Sequence, residues 1–111
     1  MTQHDQILRM RHMLDHAKEA VGLLAGKVKA DLYRSRVLEL AIVKIVEIVG
    51  EAANRLSTDD QLRYPTIPWK EIVGMRNRLV HGYDAIDLDV LWDTVHIDLP
   101  PLIDELERIL S

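Results

Sequence analysis

Cysteine is absent from the 111 residues of this chain. Its absence excludes disulfides, thiolate nucleophiles and zinc sites built from cysteine, and it favours a cytoplasmic protein. The N-terminal stretch MTQHDQILRM lacks the basic and then apolar pattern of a secretory signal. Long apolar runs are missing too, since Glu39, Lys44 and Glu47 interrupt the most apolar stretch, VLELAIVKIVEIVG. We therefore expect no membrane span and no membrane partner.

An overall positive charge is also missing. The formal net charge is −4 at pH 7, which argues against binding nucleic acid by bulk charge. The charges are unevenly placed: residues 1–36 carry seven Lys or Arg against four Asp or Glu, whereas residues 37–111 carry seven against fourteen. Solvated helix faces are the ordinary explanation. The alternative is a basic first helix that touches a polyanion, and any contact with RNA would then be local.

What is present has the composition of a globular protein, with 48% hydrophobic and 29% charged residues. The length predicts a single domain, residues 1–111. Apolar residues at three- and four-residue steps predict helices over 4–29 and 31–57. The stretch 58–68, which contains two prolines, is predicted to be a loop.

Three shorter helices are predicted after this loop. Pro68 suits the first turn of one of them and Gly82 suits its end. Asp87 is a candidate N-cap for the next, and Asp98 for a fifth helix or a kinked continuation. The expected ranges are 69–81, 87–96 and 97–110. The predicted fold class is therefore all-α, a small up-and-down bundle of four to five helices.

The second predicted helix is apolar nearly all round between Val37 and Val49. A helix of this kind is buried on more than one side, and so short a chain cannot cover it alone. We therefore expect a homodimer that forms through the second and third helices. Gly50, near the end of the second helix, is expected to permit a close helix approach.

One stretch combines side chains suited to chemistry: MRNRLVHGYD, residues 75–84. Asn77 and His81 are four residues apart and share a helix face, and Arg76 flanks them. A guanidinium can bind two phosphoryl oxygens, and an imidazole can exchange protons near neutral pH. Together with the phenol of Tyr83, this set suits RNA phosphodiester cleavage without a metal.

The same residues have a purely structural alternative. Arg-x4-His is a short pattern with many chance matches, and these side chains could cap carbonyls at a helix end. The motif also contains only one His per chain, which is little for both a general acid and a general base. Two chains related by a twofold axis would supply two.

Other candidate residues carry weaker signals. His12 and His16 have a spacing that can hold a metal, but nothing completes a ligand set, and a solvated helix face is the better interpretation. Glu47 and Glu51 are also four apart, yet a site with two carboxylates needs further ligands. We expect Glu51 to support an Arg, and no metal is predicted. Asp84 could orient the Arg–His pair or simply begin a loop.

The stretch PWKEIVGMRNRLVHGYDAID resembles the signature of HEPN-domain proteins, most closely of the HepT toxin family. That family's pattern is Arg, four to six residues, His, one residue and Tyr, and it matches Arg76, His81 and Tyr83. The polar residue that often follows the Arg is Asn77. Residues 45–57 and 91–106 resemble two further segments of the family, and the similarity is weakest over the first 30 residues.

The resemblance implies a dimeric helical bundle whose Arg76 and His81 lie in a cleft. It implies a metal-independent endoribonuclease, without a cofactor, that acts as the toxin of a toxin–antitoxin pair. The implied antitoxin resembles a minimal nucleotidyltransferase and neutralises the toxin by transferring AMP to Tyr83. Asn77, Asp84 and Glu51 would have supporting roles. Two alternatives stay open: a non-catalytic companion subunit that binds nucleotide, and a structural dimer.

Overall fold

The computed structural model of the chain describes residues 1–80 and 85–111. The protein is all-α, as predicted. The helices are α1 (Gln3–Leu24), α2 (Lys29–Arg34), α3 (Arg36–Asn54), α4 (Thr58–Leu62), α5 (Trp69–Val73), α6 (Met75–Leu79), α7 (Leu88–Asp93) and α8 (Leu99–Leu110), with a π-helical turn over Thr94–Asp98. No helix in this part of the chain is long and apolar enough to cross a membrane.

The core lies between the three longest helices, because α1 packs along both α3 and α8. On each of these helices the apolar side chains recur at three- and four-residue steps, and the face that they form is the buried one. Fully buried members are Met10, Met13 and Ala17 on α1, Ile42, Val46 and Val49 on α3, and Leu99 and Leu106 on α8. Each large side chain buried in this way contributes about 1.5–3 kcal/mol to folding.

The first helix is shorter than predicted. It ends at Leu24 because Gly26 adopts a left-handed conformation, with φ of 74°, which stops an α-helix. A separate helix, α2, follows, and the Asp31 carboxylate accepts a 2.8 Å hydrogen bond from the backbone N–H of Val28 at its start. The predicted range 4–29 was therefore wrong at its end.

The second predicted helix, 31–57, corresponds to α3 with different ends. Ser35 is its N-cap, since the hydroxyl accepts a hydrogen bond of 3.1 Å from the backbone N–H of Leu38. The predicted loop 58–68 contains α4, which Ser57 caps through a 3.2 Å bond from the backbone N–H of Asp60.

The third predicted helix, 69–81, is interrupted at Gly74. Its backbone angles, φ −85° and ψ −3°, lie at the edge of the right-handed helical region, and Gly74 separates α5 from α6. Within the described residues α6 ends at Leu79, and the expected stop at Gly82 lies outside them. Val80 forms an antiparallel bridge with Ile86.

Asp87 is the N-cap of α7, as predicted, and its carboxylate accepts a 3.1 Å bond from Val90 N–H. The chain then continues through the π-helical turn into α8, which matches the predicted kinked continuation. Asp98 is not a side-chain cap, because its own backbone is helical. Pro100 and Pro101 explain the turn, since neither has an N–H to donate to the preceding helical carbonyls.

Part of α3 remains uncovered by this chain. Val37 is 79% exposed and Leu40 is 50% exposed, which agrees with the predicted excess of apolar surface. Toward the other end of the helix, a Cβ on Gly50 would lie only 3.3 Å from the carbonyl oxygen of Ile72. The predicted close approach at Gly50 is therefore confirmed, and it sets α5 directly against α3.

A polar clamp joins α2 to α7. The Tyr33 hydroxyl donates a short hydrogen bond to the Asp89 carboxylate, and Lys29 Nζ lies 3.2 Å from the same carboxylate. The clamp holds α7 and, through it, the chain that follows Ile86.

Candidate active site

Arg76 is held on the surface by the packing of α6. Its neighbours Met75 and Leu79, four residues apart, are fully buried and direct the opposite face of this short helix outward. The Arg76 Nε lies 3.4 Å from Glu47 Oε2 on α3, while 52% of the Arg76 side chain remains exposed. The guanidinium is thus oriented by one carboxylate and still accessible to a ligand.

Arg76 lines a small polar cavity between α3 and α5–α6, of about 130 Å³, which we call the Arg76 cavity. Its lining residues are Glu47, Gly50, Glu51, Asn54, Val73, Arg76 and Asn77. The structure therefore brings together three of the residues predicted from sequence: Arg76, Asn77 and Glu51. Two amides and one guanidinium supply the hydrogen-bond donors that phosphoryl oxygens require.

A larger open cleft of about 580 Å³, the α3 cleft, lies on the other side of Arg76 and Glu47. Its remaining lining residues are Arg36, Leu40, Val43, Val80 and Ile86. Most of this surface is apolar. Arg76 therefore stands between a polar cavity and an apolar surface that the same chain leaves open.

The second arginine of the motif, Arg78, faces elsewhere. Residues two apart on a helix point roughly 200° from each other. Arg78 accordingly lines a different groove, formed with Glu71, Ile97 and Pro101. The motif thus provides one guanidinium to the candidate site and directs the other away from it.

The predicted site residues His81, Tyr83 and Asp84 lie outside the described residues. Val80 lines the α3 cleft beside Arg76, and the backbone N–H of Asp87 donates a 2.8 Å hydrogen bond to the carbonyl of Leu79.

Glu47 is the partner that the sequence left unassigned. The sequence shows its spacing from Glu51, but the expected partner of an arginine is Glu51. Glu51 lines the Arg76 cavity, whereas the carboxylate within 4.0 Å of Arg76 is that of Glu47. No local signal distinguishes these two residues, because the contact depends on how α6 crosses α3.

His12 and His16 do not face each other as metal ligands. His16 Nδ1 lies 2.8 Å from the backbone oxygen of His12, so the ring is bound to its own helix. Among residues 1–80 and 85–111, no group of three or more His, Asp or Glu side chains is placed to hold a metal ion.

The comparison with protein families matches residues 10–109 to the ribonuclease HepT-like family. The chain belongs to the HepT-like ribonuclease family. The resemblance stated from the sequence is therefore confirmed, and with it the family to which the Arg–His–Tyr motif was assigned.

Individual relatives are similar to this chain over 64% to 98% of its length. A protein of Methanocaldococcus jannaschii, provisionally named an RNase, is 30% identical over 98% of this chain and 100% of its own length. One of Caldanaerobacter subterraneus, with the same provisional name, is 33% identical over 91% of this chain and 94% of its own. A third, of Thermococcus cleftensis, provisionally named ribonuclease HepT, is 38% identical over 64% of each chain. No solved structure is significantly similar.

Proposed function

We propose that this protein is a metal-independent endoribonuclease whose catalytic residues are Arg76 and His81. The observation that carries the proposal is the placement of Arg76 in a member of a ribonuclease family. Its guanidinium is half exposed, oriented by Glu47 and set over a cavity that also holds the amide of Asn77.

The proposed reaction is an attack of the ribose 2′-oxygen on the adjacent phosphorus. The 2′-hydroxyl gives its proton to a general base, the bond from phosphorus to the 5′-oxygen breaks, and a general acid protonates that oxygen. The products are a 2′,3′-cyclic phosphate and a free 5′-hydroxyl. Arg76 would bind the phosphoryl oxygens as negative charge accumulates on them.

His81 is proposed as the proton-transferring group. It directly follows Val80, which lines the cleft next to Arg76, and neighbouring Cα atoms are about 3.8 Å apart. Asn77 and Asp84 would orient the reacting groups, and Glu51 would shape the cavity wall.

A second copy of the chain would complete the site. The α3 cleft next to Arg76 is mostly apolar, and Leu40 within it is half exposed. Homodimerisation over this surface would cover the apolar side chains and bring two Arg76–His81 pairs into one cleft. One histidine could then act as base and the other as acid.

The protein would act as the toxin of a toxin–antitoxin pair in the cytoplasm, with a minimal nucleotidyltransferase as antitoxin. Transfer of AMP to the Tyr83 hydroxyl would place a phosphate where Arg76 should bind RNA. Intact-mass spectrometry after incubation with the partner and ATP should show AMP added to the wild type and none on Tyr83→Phe. Equal modification of both would contradict this role of Tyr83.

Cleavage of RNA by the purified protein in EDTA tests the enzymatic proposal. Activity should persist in EDTA, and Arg76→Ala should lower the rate on the order of 10²–10³-fold. Arg78→Ala is the matched control, because Arg78 lies on the same helix and lines another groove. Activity that needs Mg²⁺ would overturn metal independence. Nucleotide binding without RNA cleavage would favour the companion-subunit function.

A further inference from the structure

A second pocket with positive charge lies next to the candidate active site. It is about 120 Å³ in volume and is formed where α1 packs on α3. Its lining residues are Arg9, His12, Ile48, Glu51, Ala52 and Arg55. We call it the Arg9–Arg55 pocket. It is formed in part by α1, which lies within the stretch 1–36 that carries seven Lys or Arg against four Asp or Glu.

The arginines of this pocket have unused donors. The Nε of Arg9 is buried and has no hydrogen-bond partner among the residues that the structure describes. Neither Arg9 nor Arg55 takes part in the ion pairs found in the same part of the chain. A buried donor without a partner is unfavourable. Since neither guanidinium is paired with a carboxylate in the described residues, both charges can attract an anion into the pocket.

The pocket adjoins the Arg76 cavity. Glu51 lines both, so the two share a wall on α3. Glu47, which holds Arg76, and Arg55 are eight residues apart on this helix, which corresponds to about 12 Å along its axis at a rise of 1.5 Å per residue. A strand whose scissile phosphate lies on Arg76 can therefore reach the Arg9–Arg55 pocket through its neighbouring nucleotides.

We propose that the Arg9–Arg55 pocket binds a phosphodiester group of the RNA substrate that flanks the cleaved one. This inference rests on the proposed ribonuclease function and adds the contact that would fix the strand's path. The two guanidinium charges outweigh the single carboxylate of Glu51. The volume, equal to that of about four water molecules in the liquid, suits a phosphate group.

The pocket would also explain how an acidic protein binds RNA. A chain with net charge −4 cannot rely on its overall field. Instead, two separated guanidinium sites favour a strand that places a phosphate at each of them. The Glu51 carboxylate, on the wall between the two sites, repels phosphates from that wall. The pocket thus determines register, while Arg76 binds the reacting phosphate.

Binding of a short 2′-O-methyl RNA oligonucleotide, whose blocked 2′-oxygens prevent cleavage, tests the inference. Arg9→Gln and Arg55→Gln should each weaken binding about 10-fold, the effect of losing a charge-assisted hydrogen bond. Loss of one phosphate contact should also reduce the slope of log affinity against log salt by about 0.7. Arg11→Gln is the matched control, because Arg11 is exposed and lies two residues from Arg9 on the opposite side of α1.

The outcomes separate this inference from the proposed function. If wild type cleaves RNA but the Arg9 and Arg55 variants bind the oligonucleotide as Arg11→Gln does, the pocket assignment is overturned and the ribonuclease stands. If wild type fails to cleave any RNA, the binding measurement still decides the pocket. If the Arg9 and Arg55 variants lose ATP binding but bind the RNA oligonucleotide as wild type does, the pocket binds free nucleotides and the RNA contact is overturned. Unchanged circular dichroism and Tm would show that the variants are folded.

Discussion

Glu47 and a substrate phosphate would compete for the same guanidinium. Glu47 Oε2 lies 3.4 Å from Arg76 Nε, and only 27% of the Glu47 side chain is exposed, so this carboxylate both orients Arg76 and offsets its charge. Replacing it with a neutral amide of similar shape separates the two effects. Without the carboxylate the guanidinium attracts RNA more strongly but is held less firmly.

For Glu47→Gln we therefore expect KM and kcat to fall together. Weaker competition for Arg76 should lower KM severalfold, whereas looser positioning should lower kcat up to about 10-fold, since small displacements of a catalytic group are costly. Steady-state kinetics with an RNA oligonucleotide measures both. A rise in KM with unchanged kcat would show that Glu47 contributes to binding and does not position Arg76.

At the residue scale the sequence predicted the motif but not its partner. Arg76 and Asn77 were identified from local spacing, and both line the same cavity. Glu47 was not singled out over Glu51, because the choice depends on how α6 crosses α3, and that crossing depends on contacts distant in sequence. The unused donor of Arg9 had no sequence signal for the same reason.

At the scale of helices, the two long predicted helices were correct along most of their length, and their ends were wrong where the sequence has a local boundary residue. Gly26, Ser35 and Ser57 are ordinary start and stop residues, and each marks a boundary in the structure. The break at Gly74 is different. Its apolar neighbours fit one continuous helix, and a single Gly inside such a pattern is normally tolerated.

The approach of α5 to α3 at Gly50 gives a prediction for stability. In Gly50→Ala the new Cβ would lie 3.3 Å from the carbonyl oxygen of Ile72 and 3.5 Å from that of Val73. Backbone atoms yield less readily than side chains, so we expect a destabilisation of about 1–3 kcal/mol. Because only Gly74 separates α5 from α6, which carries Arg76, RNA cleavage should fall as well.

Gly22→Ala is the matched control for this substitution. Gly22 lies within α1, and nothing is within 4 Å of the Cβ that Ala would add. Alanine there should stabilise the protein by about 0.5–1 kcal/mol through helix propensity. Thermal or urea unfolding of the two variants compares them. Similar changes in the free energy of unfolding of both variants would show that α5 can shift to accommodate the methyl group at position 50.

The clamp between α2 and α7 predicts a dependence on acid. Hydrogen bonding from the Tyr33 hydroxyl, together with Lys29, lowers the pKa of Asp89 below its ordinary value of 3.8. A carboxyl whose pKa is depressed by folding stabilises the native state above the unfolded pKa, and this contribution is lost as the pH falls through the folded pKa.

Tyr33→Phe should therefore lower Tm slightly near neutral pH, and the difference from wild type should shrink as the pH falls below 3.8. The effect is small because all three side chains are exposed. Hydrogen bonding to Asp89 also raises the pKa of Tyr33 above 10.0, so the contribution persists up to that pH and is lost above it. A Tm difference that stays constant into acid would contradict the clamp.

For the whole molecule, the exposed part of α3 predicts the oligomeric state. Leu40→Glu places a charge in the apolar cleft beside Arg76 and should convert a dimer to a monomer at micromolar concentration, with loss of RNA cleavage. Leu62→Glu is the control, since Leu62 is 70% exposed on α4 and does not line the cleft. Sedimentation velocity measures both. A wild type that is monomeric would remove the basis for a composite site.

The burial of Met75, the first residue of α6, makes its oxidation a measure of how often the candidate active site opens. Met1 is 54% exposed, whereas Met75 is fully buried. Peroxide converts an accessible methionine to its sulfoxide, and a buried one reacts only when its surroundings open. The delay of Met75 behind Met1 in a peptide map would therefore report how often the helix that carries Arg76 separates from the core. A partner or substrate that holds this helix in place should lengthen the delay.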